Sequence, residues 1–253
     1  MARKFAAAGH SVKLSNSRGP ESSGDIVRGT TVKAVSNEDA PKDVDVVILS
    51  VPFAKNPDVA KLLAIAPSDA VVVDTSNYYS ARDGNIPEVD AGKPETVWVS
   101  EQVGRPLVKA WNAVLSQTTA EAGVASGAGN RIAIPIAGDD AAAKKVVADS
   151  VHISGFDAVD AGTLSESWCF QPGTPSYCTE LTTDELKLAL ADASKDRAPK
   201  TAMRSCRPLR TGKLNLPGTA WLPTTGPCQP DLFLPAVDSC GWHYITTEAR
   251  RKN

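Results

Sequence analysis

Two stretches of the chain are built on continuous apolar runs, the second ending in polar groups: Val44-Asp45-Val46-Val47-Ile48-Leu49-Ser50-Val51-Pro52-Phe53 and Ala70-Val71-Val72-Val73-Asp74-Thr75-Ser76-Asn77. Such runs lack the polar alternation of a half-solvated strand, and they predict strands covered on both faces within a parallel sheet. Residues 54–66 between them return to helical spacing, so the pair reads as a strand-helix-strand unit. Upstream, an Ala-rich helical stretch over residues 2–9 is closed by Gly9 and followed by a short strand, Val12-Lys13-Leu14. A short helix at 21–28, a strand at 31–35 and a single helical turn at 37–40 complete the first third. Downstream the pattern predicts a long loop at 78–100, rich in Gly, Pro, Asp and Asn, and then strands at 107–112 and 131–138. A helix at 139–150, a strand at 151–158 and a helix at 183–193 follow.

This alternation predicts an α/β fold with a Rossmann-like parallel sheet over residues 1–193, and in such sheets ligands bind beyond the carboxyl ends of the strands. The first strand runs into Ser15-Asn16-Ser17-Arg18-Gly19-Pro20. A fold of this kind that takes NAD carries an acidic residue there for the ribose 2′-hydroxyl, and residues 14–18 contain none. Hydroxyls, an amide and a guanidinium suit the 2′-phosphate of NADP instead, so Asn16, Ser17 and Arg18 are candidate cofactor contacts. Ser50, Val51, Pro52 and Phe53 end the next strand, and Asn77 ends the one after it. Asp74 and Asp139 read as strand-end or helix-start carboxylates rather than catalytic groups, and no general acid or base is assigned. Neither His10 nor His152 reads as a metal ligand.

A helix followed by the second strand of such a fold is normally preceded by a first strand and a Gly-x-Gly-x-x-Gly turn. Residues 1–10 contain neither, so the sheet is expected to be N-terminally truncated, with unpaired neighbours and weak or absent activity.

Composition narrows the partners. With 253 residues, 42% hydrophobic, 22% charged and a net charge of −2, the chain has the balance of a globular protein and no basic excess for nucleic acid. No apolar run approaches the ~18 residues of a membrane span, and the first residues lack a secretory apolar core, so a cytoplasmic address is expected. Five Cys without a Cys-x-x-Cys pair suggest free thiols. From 194 to 253 seven prolines break every period, which predicts an irregular, poorly ordered tail. Cys206, Cys228, Cys240 and His243 fall there with irregular spacing, and no metal site is expected.

The phrases ARKFAAAGHSVKLSNSRGPES, DVVILSVPF, VVVDTSNYY, LVKAWNAV, IPIAGDD, GFDAVDAGTL and FQPGTPSY keep their order over roughly residues 1–190. In this the chain resembles the NADP-dependent oxidoreductases similar to NADPH:coenzyme F-420 oxidoreductase. The resemblance implies an NADP-binding domain and direct hydride transfer to or from a small-molecule redox partner, coenzyme F-420 or a flavin. It implies that Ser17 and Arg18 meet the 2′-phosphate, that Ser50 to Phe53 line the cofactor, and that Asn77 and Ala110 to Asn112 lie near the reacting rings. A homodimer is compatible with this kind of reductase. The rival expectation is a non-catalytic descendant that binds a nucleotide or a protein partner.

Overall fold

The computed structural model describes residues 1–195 and the strand His243–Glu248. Helix α1 (Ala2–Ala7) leads into β1 (Ser11–Asn16), a 3-10 turn, α2 (Gly24–Val27) and β2 (Lys33–Ala34). The central unit is β3 (Val46–Ser50), α3 (Asn56–Leu63) and β4 (Val71–Asp74). Then come α4 (Ser80–Asp83), α5 (Pro87–Asp90), α6 (Glu95–Val103), β5 (Val108–Lys109) and α7 (Ser116–Glu121). The chain continues through β6 (Ala133–Gly138), α8 (Ala141–Ile153), β7 (Asp157–Asp160), a 3-10 segment over Leu164–Phe170 and α9 (Thr183–Ala191), and β8 is His243–Glu248.

Among the described residues the strands form one eight-stranded sheet in the order β2-β1-β8-β3-β4-β5-β6-β7. Pairing is parallel for β1 with β2, β3 with β4, and β4 with β5. β8 runs antiparallel to both β1 and β3, so those two are parallel to each other, and the carboxyl ends of β1 to β5 share one edge. The fold is therefore α/β and Rossmann-like, with β6 turned antiparallel to β5.

The two apolar runs are buried on both faces, as expected. On one side Val46 and Ile48 join Phe5, Val12, Leu14, Val73, Val147, Val151 and Phe156 beneath α1 and α8. On the other, Val47 and Leu49 join Phe53, Val59, Leu63, Trp98, Val99 and Val103 beneath α3 and α6. Alternate residues of one strand thus fill two separate layers.

Three expectations are corrected. The stretch 78–100 is not a long loop: its glycines and prolines punctuate three helices, and α6 buries Trp98, Val99 and Val103 against α3. Residues 151–153 continue α8 rather than opening a strand, because Val147 and Val151 lie one turn apart on its buried face. The stop comes at Gly155, whose φ of 97° favours glycine, and β7 begins only at Asp157.

The third correction concerns the sheet's centre and the tail together. In the strand order of a dinucleotide fold the position between β1 and β3 belongs to the first strand. Here β8 fills it, in register from Ser11↔Glu248 to Asn16↔His243 on one side and from Val46↔Thr247 to Ser50↔His243 on the other. The neighbours expected to lack partners have them, and the expected irregular tail contains a strand. The rest of that tail, with Cys206, Cys228 and Cys240, lies outside the described residues. No helix among the described residues is long and apolar enough to cross a membrane.

Candidate functional site at the carboxyl edge of the sheet

An open cavity of about 230 Å³ lies at the shared edge, lined by Met1, Ser50, Thr75, Asn77, Trp111, Asn112, Val114, Ser116 and Thr119. Its wall is assembled by topology: Ser50 ends β3, Thr75 and Asn77 follow β4, and Trp111 and Asn112 follow β5. Asn77 and Asn112 bind each other reciprocally. Asn77 Nδ2 donates to the Asn112 carbonyl at 3.0 Å and Asn112 Nδ2 to Asn77 Oδ1 at 3.1 Å, which ties the two strand ends together.

Of the residues expected at a cofactor, Ser50, Asn77 and Asn112 stand in this wall. Val51, Phe53 and Ala110 do not: their side chains are buried, and the Phe53 ring stacks on Trp98 at 5.0 Å between centroids. Pro52 is half-buried and precedes a 3-10 turn over Phe53–Lys55. Apolar residues at a strand end serve the core first, and only their backbone reaches the edge.

The β1 turn forms its own group on the same edge. Asn16 is buried, and its amide organises the turn. Nδ2 donates to Ser23 Oγ at 2.8 Å, while Oδ1 accepts from the Arg18 backbone N–H at 2.8 Å and from Ser22 Oγ at 2.9 Å. Ser17 and Arg18 are exposed beyond it, and Gly19 turns with φ 91°. Asn16 thus shapes the turn, and Ser17 and Arg18 are what it presents to solvent.

Behind Asn77 lies a charged cluster that joins the strand-end Asp74 to Lys109 and Glu95, two residues not expected at the site. Lys109 is fully buried and donates to the Ser76 carbonyl at 2.9 Å, with Asp74 and Glu95 carboxylates each 3.5 Å away. Asp74 Oδ1 accepts from the Ser76 N–H and hydroxyl, and Oδ2 accepts from Thr96 Oγ1 at 2.6 Å. Two carboxylates facing one ammonium leave an excess negative charge in a dry site. Burial pushes the Glu95 carboxyl up to about 7, with Asp74 raising it further and Lys109 opposing. Near it the Tyr79 and Tyr177 hydroxyls hydrogen-bond each other, and burial raises both phenols, Tyr79 to about 12. The signal for this cluster was a lysine inside the apolar phrase Leu107-Val108-Lys109-Ala110, since a cation in a covered strand requires buried carboxylates.

Comparison with known proteins places this arrangement. The family model described as "NADP oxidoreductase coenzyme F420-dependent" matches residues 1–78. The crystal structure of the hypothetical protein SMa0349 from Sinorhizobium meliloti is 31% identical, with a TM-score of 0.62, covering 72% of this chain and 89% of that one. A structure named as a "putative f420 dependent nadp-reductase" from Arthrobacter sp. FB24 is 20% identical, with a TM-score of 0.50, covering 66% of this chain and 81% of that one, and it supports the fold. "Putative protein YjhV" from Escherichia coli (strain K12) is 46% identical over 54 residues, or 21% of this chain, and the match spans 39% of that protein's length. By sequence at the β1 turn, by strand order and by these matches, the chain belongs to the family of coenzyme F420-dependent NADP oxidoreductases.

Proposed function

We propose that this protein is an NADP(H)-dependent oxidoreductase that passes hydride between nicotinamide and a deazaflavin- or flavin-like acceptor. The observation that carries the reading is the common edge: the β1 turn with Ser17 and Arg18, and the cavity bounded by Ser50, Asn77 and Asn112, lie at the carboxyl ends of parallel strands. That is where open α/β sheets hold dinucleotides.

The residues fit the two ends of the cofactor. Arg18 and Ser17 offer charge-assisted and hydroxyl donors to a 2′-phosphate, and no acid at 14–18 repels it. The cavity offers amide and hydroxyl groups to a planar ring. Bound NADPH supplies a hydride equivalent, and reduction of the acceptor consumes one further proton from solvent. The protein's part is alignment: Asn77 and Asn112 fix the two strand ends, and the buried Lys109 holds the backbone between Asp74 and Asn77.

The test is NADPH oxidation by the full chain with a deazaflavin and with a flavin acceptor, alongside the same assay with NADH. Turnover faster with NADPH supports the reading. Arg18→Ala should then narrow the NADPH preference by about 10- to 100-fold, the worth of a charge-assisted contact of ~1.5–3 kcal/mol. Nucleotide binding without turnover on either acceptor would favour the non-catalytic reading, a module that binds nucleotide alone.

A further inference from the structure

The buried cluster behind Asn77 is connected to both asparagines of the cavity wall. Lys109 Nζ donates to the carbonyl of Ser76, the residue before Asn77, and Asn77 and Asn112 hold each other through two hydrogen bonds. On the far side Glu95 opens α6, and its N–H donates to Gln171 Oε1 at 2.9 Å. The neighbouring Phe170 carbonyl accepts from Asn112 Nδ2 at 3.0 Å. Donors are shared unevenly within the cluster. Asp74 takes the Ser76 N–H, the Ser76 and Thr96 hydroxyls and Lys109, whereas Glu95 takes the Tyr78 N–H and Lys109. One ammonium balances one carboxylate, so this buried group is neutral only with a proton, and the carboxyl with fewer donors is the one that holds it. The other titratable groups facing Glu95 are Tyr79 and Tyr177, whose phenols are raised by burial and stay protonated. Arg82, over the Tyr79 ring, is paired with Asp83.

We propose that Glu95 is a positioning residue whose proton sets the cavity wall: protonated, it leaves Lys109 on the Ser76 carbonyl and Asn77 in place, and ionised, it draws Lys109 away and loosens that wall. The distances leave room for this movement. Lys109 Nζ stands 2.9 Å from the Ser76 oxygen but 3.5 Å from each carboxylate, whereas a charge-assisted N–H···O contact closes to about 2.7–2.9 Å. An ionised Glu95 therefore pulls Nζ toward itself at the expense of the Ser76 bond. Asn77 follows Ser76, while Asn112 is anchored to the Phe170 carbonyl, so the reciprocal pair opens from the Asn77 side. The step is an exchange of one proton between Glu95 and solvent. By linkage, a ligand that needs the closed wall binds the protonated form more tightly, and its affinity falls as pH rises through about 7, where the Glu95 carboxyl titrates. The ligand-binding consequence rests on the redox reading above, and the movement of the wall does not.

Two measurements on the full chain test it, each with the unmodified protein and with Glu95→Gln, which keeps the shape and cannot ionise. In ¹H–¹⁵N spectra of the ligand-free protein, the Asn77 backbone and side-chain amides should shift along one titration curve with a midpoint near 7, and stay fixed in Glu95→Gln. No shift, or the same shift in Glu95→Gln, overturns the proposal. Calorimetry then compares NADPH with 2′,5′-ADP, which carries the 2′-phosphate and lacks the nicotinamide. From pH ~6 to ~8.5 the affinity of NADPH relative to 2′,5′-ADP should fall by at least about 5-fold in the unmodified protein and stay constant in Glu95→Gln. A constant ratio in the unmodified protein overturns the coupling to ligand. If neither nucleotide binds at any pH, the NADP reading falls, while the spectra still decide the movement of the wall. Should Glu95→Gln not fold, buffers of different ionisation enthalpy replace it: near pH 7, NADPH binding to the unmodified protein should take up more protons than 2′,5′-ADP binding. Equal uptake overturns the proposal.

Discussion

Single residues at the strand ends divide between core and edge, and the division is testable. Phe53 has no exposed surface and packs against Trp98 and Tyr78, so its truncation is a core lesion. Phe53→Ala is expected to cost about 3–5 kcal/mol of stability by urea unfolding, while Phe53→Leu leaves NADPH affinity within twofold. Glu95 gives a pH prediction. Its carboxyl titrates near 7 when folded, above the ordinary carboxylate value of 4.5, so the folded state holds a proton that the unfolded chain has released. Stability from this group is full below about 4.5 and falls as pH rises through about 7. Melting temperature should therefore decline across that window, and Glu95→Gln, which leaves Lys109 balanced by Asp74, should flatten the decline. An unchanged slope in Glu95→Gln would place the titrating group elsewhere.

Elements were legible in the sequence where burial alone decides them. β3 and β4 are apolar up to their last residues, Ser50 and Asp74, because both faces are covered, and that pattern needs no knowledge of the neighbours. The helices at 80–103 were hidden because two of them are single turns and Gly84, Gly92 and Pro94 read as loop punctuation. β8 was hidden for a different reason. Its β-branched and aromatic composition, His243-Tyr244-Ile245-Thr246-Thr247-Glu248, permits a strand, but what makes it one is the slot between β1 and β3, more than 190 residues away in sequence. Local pattern carries no trace of such a pairing. Deleting residues 243–253 leaves the facing N–H and C=O groups of β1 and β3 without partners at ~1–3 kcal/mol for each buried group, so the melting temperature is expected to fall by at least about 6 °C. A protease site inserted between Lys195 and His243 gives the complementary check: after cleavage the two pieces should still elute together. Pieces that separate with no loss of stability would remove β8 from the sheet.

For the whole molecule, strand direction governs what the edge can hold. β8 restores the sheet's hydrogen bonding but runs antiparallel, so its first residue, His243, and not a strand's carboxyl end, meets the edge between Asn16 and Ser50. A parallel strand leading into α1 would take the same slot, which makes it and β8 alternatives. In either case the turn after β1 and the cavity beyond β3, β4 and β5 belong to elements that β8 does not replace. The proposed reductase activity requires this edge to select NADP. The most direct measurement is calorimetric titration of the full chain with NADPH and with NADH under one set of conditions. NADPH binding at least about tenfold tighter, the worth of ~1.4 kcal/mol, is the predicted result. Equal affinities, or no binding of NADPH, would contradict the account.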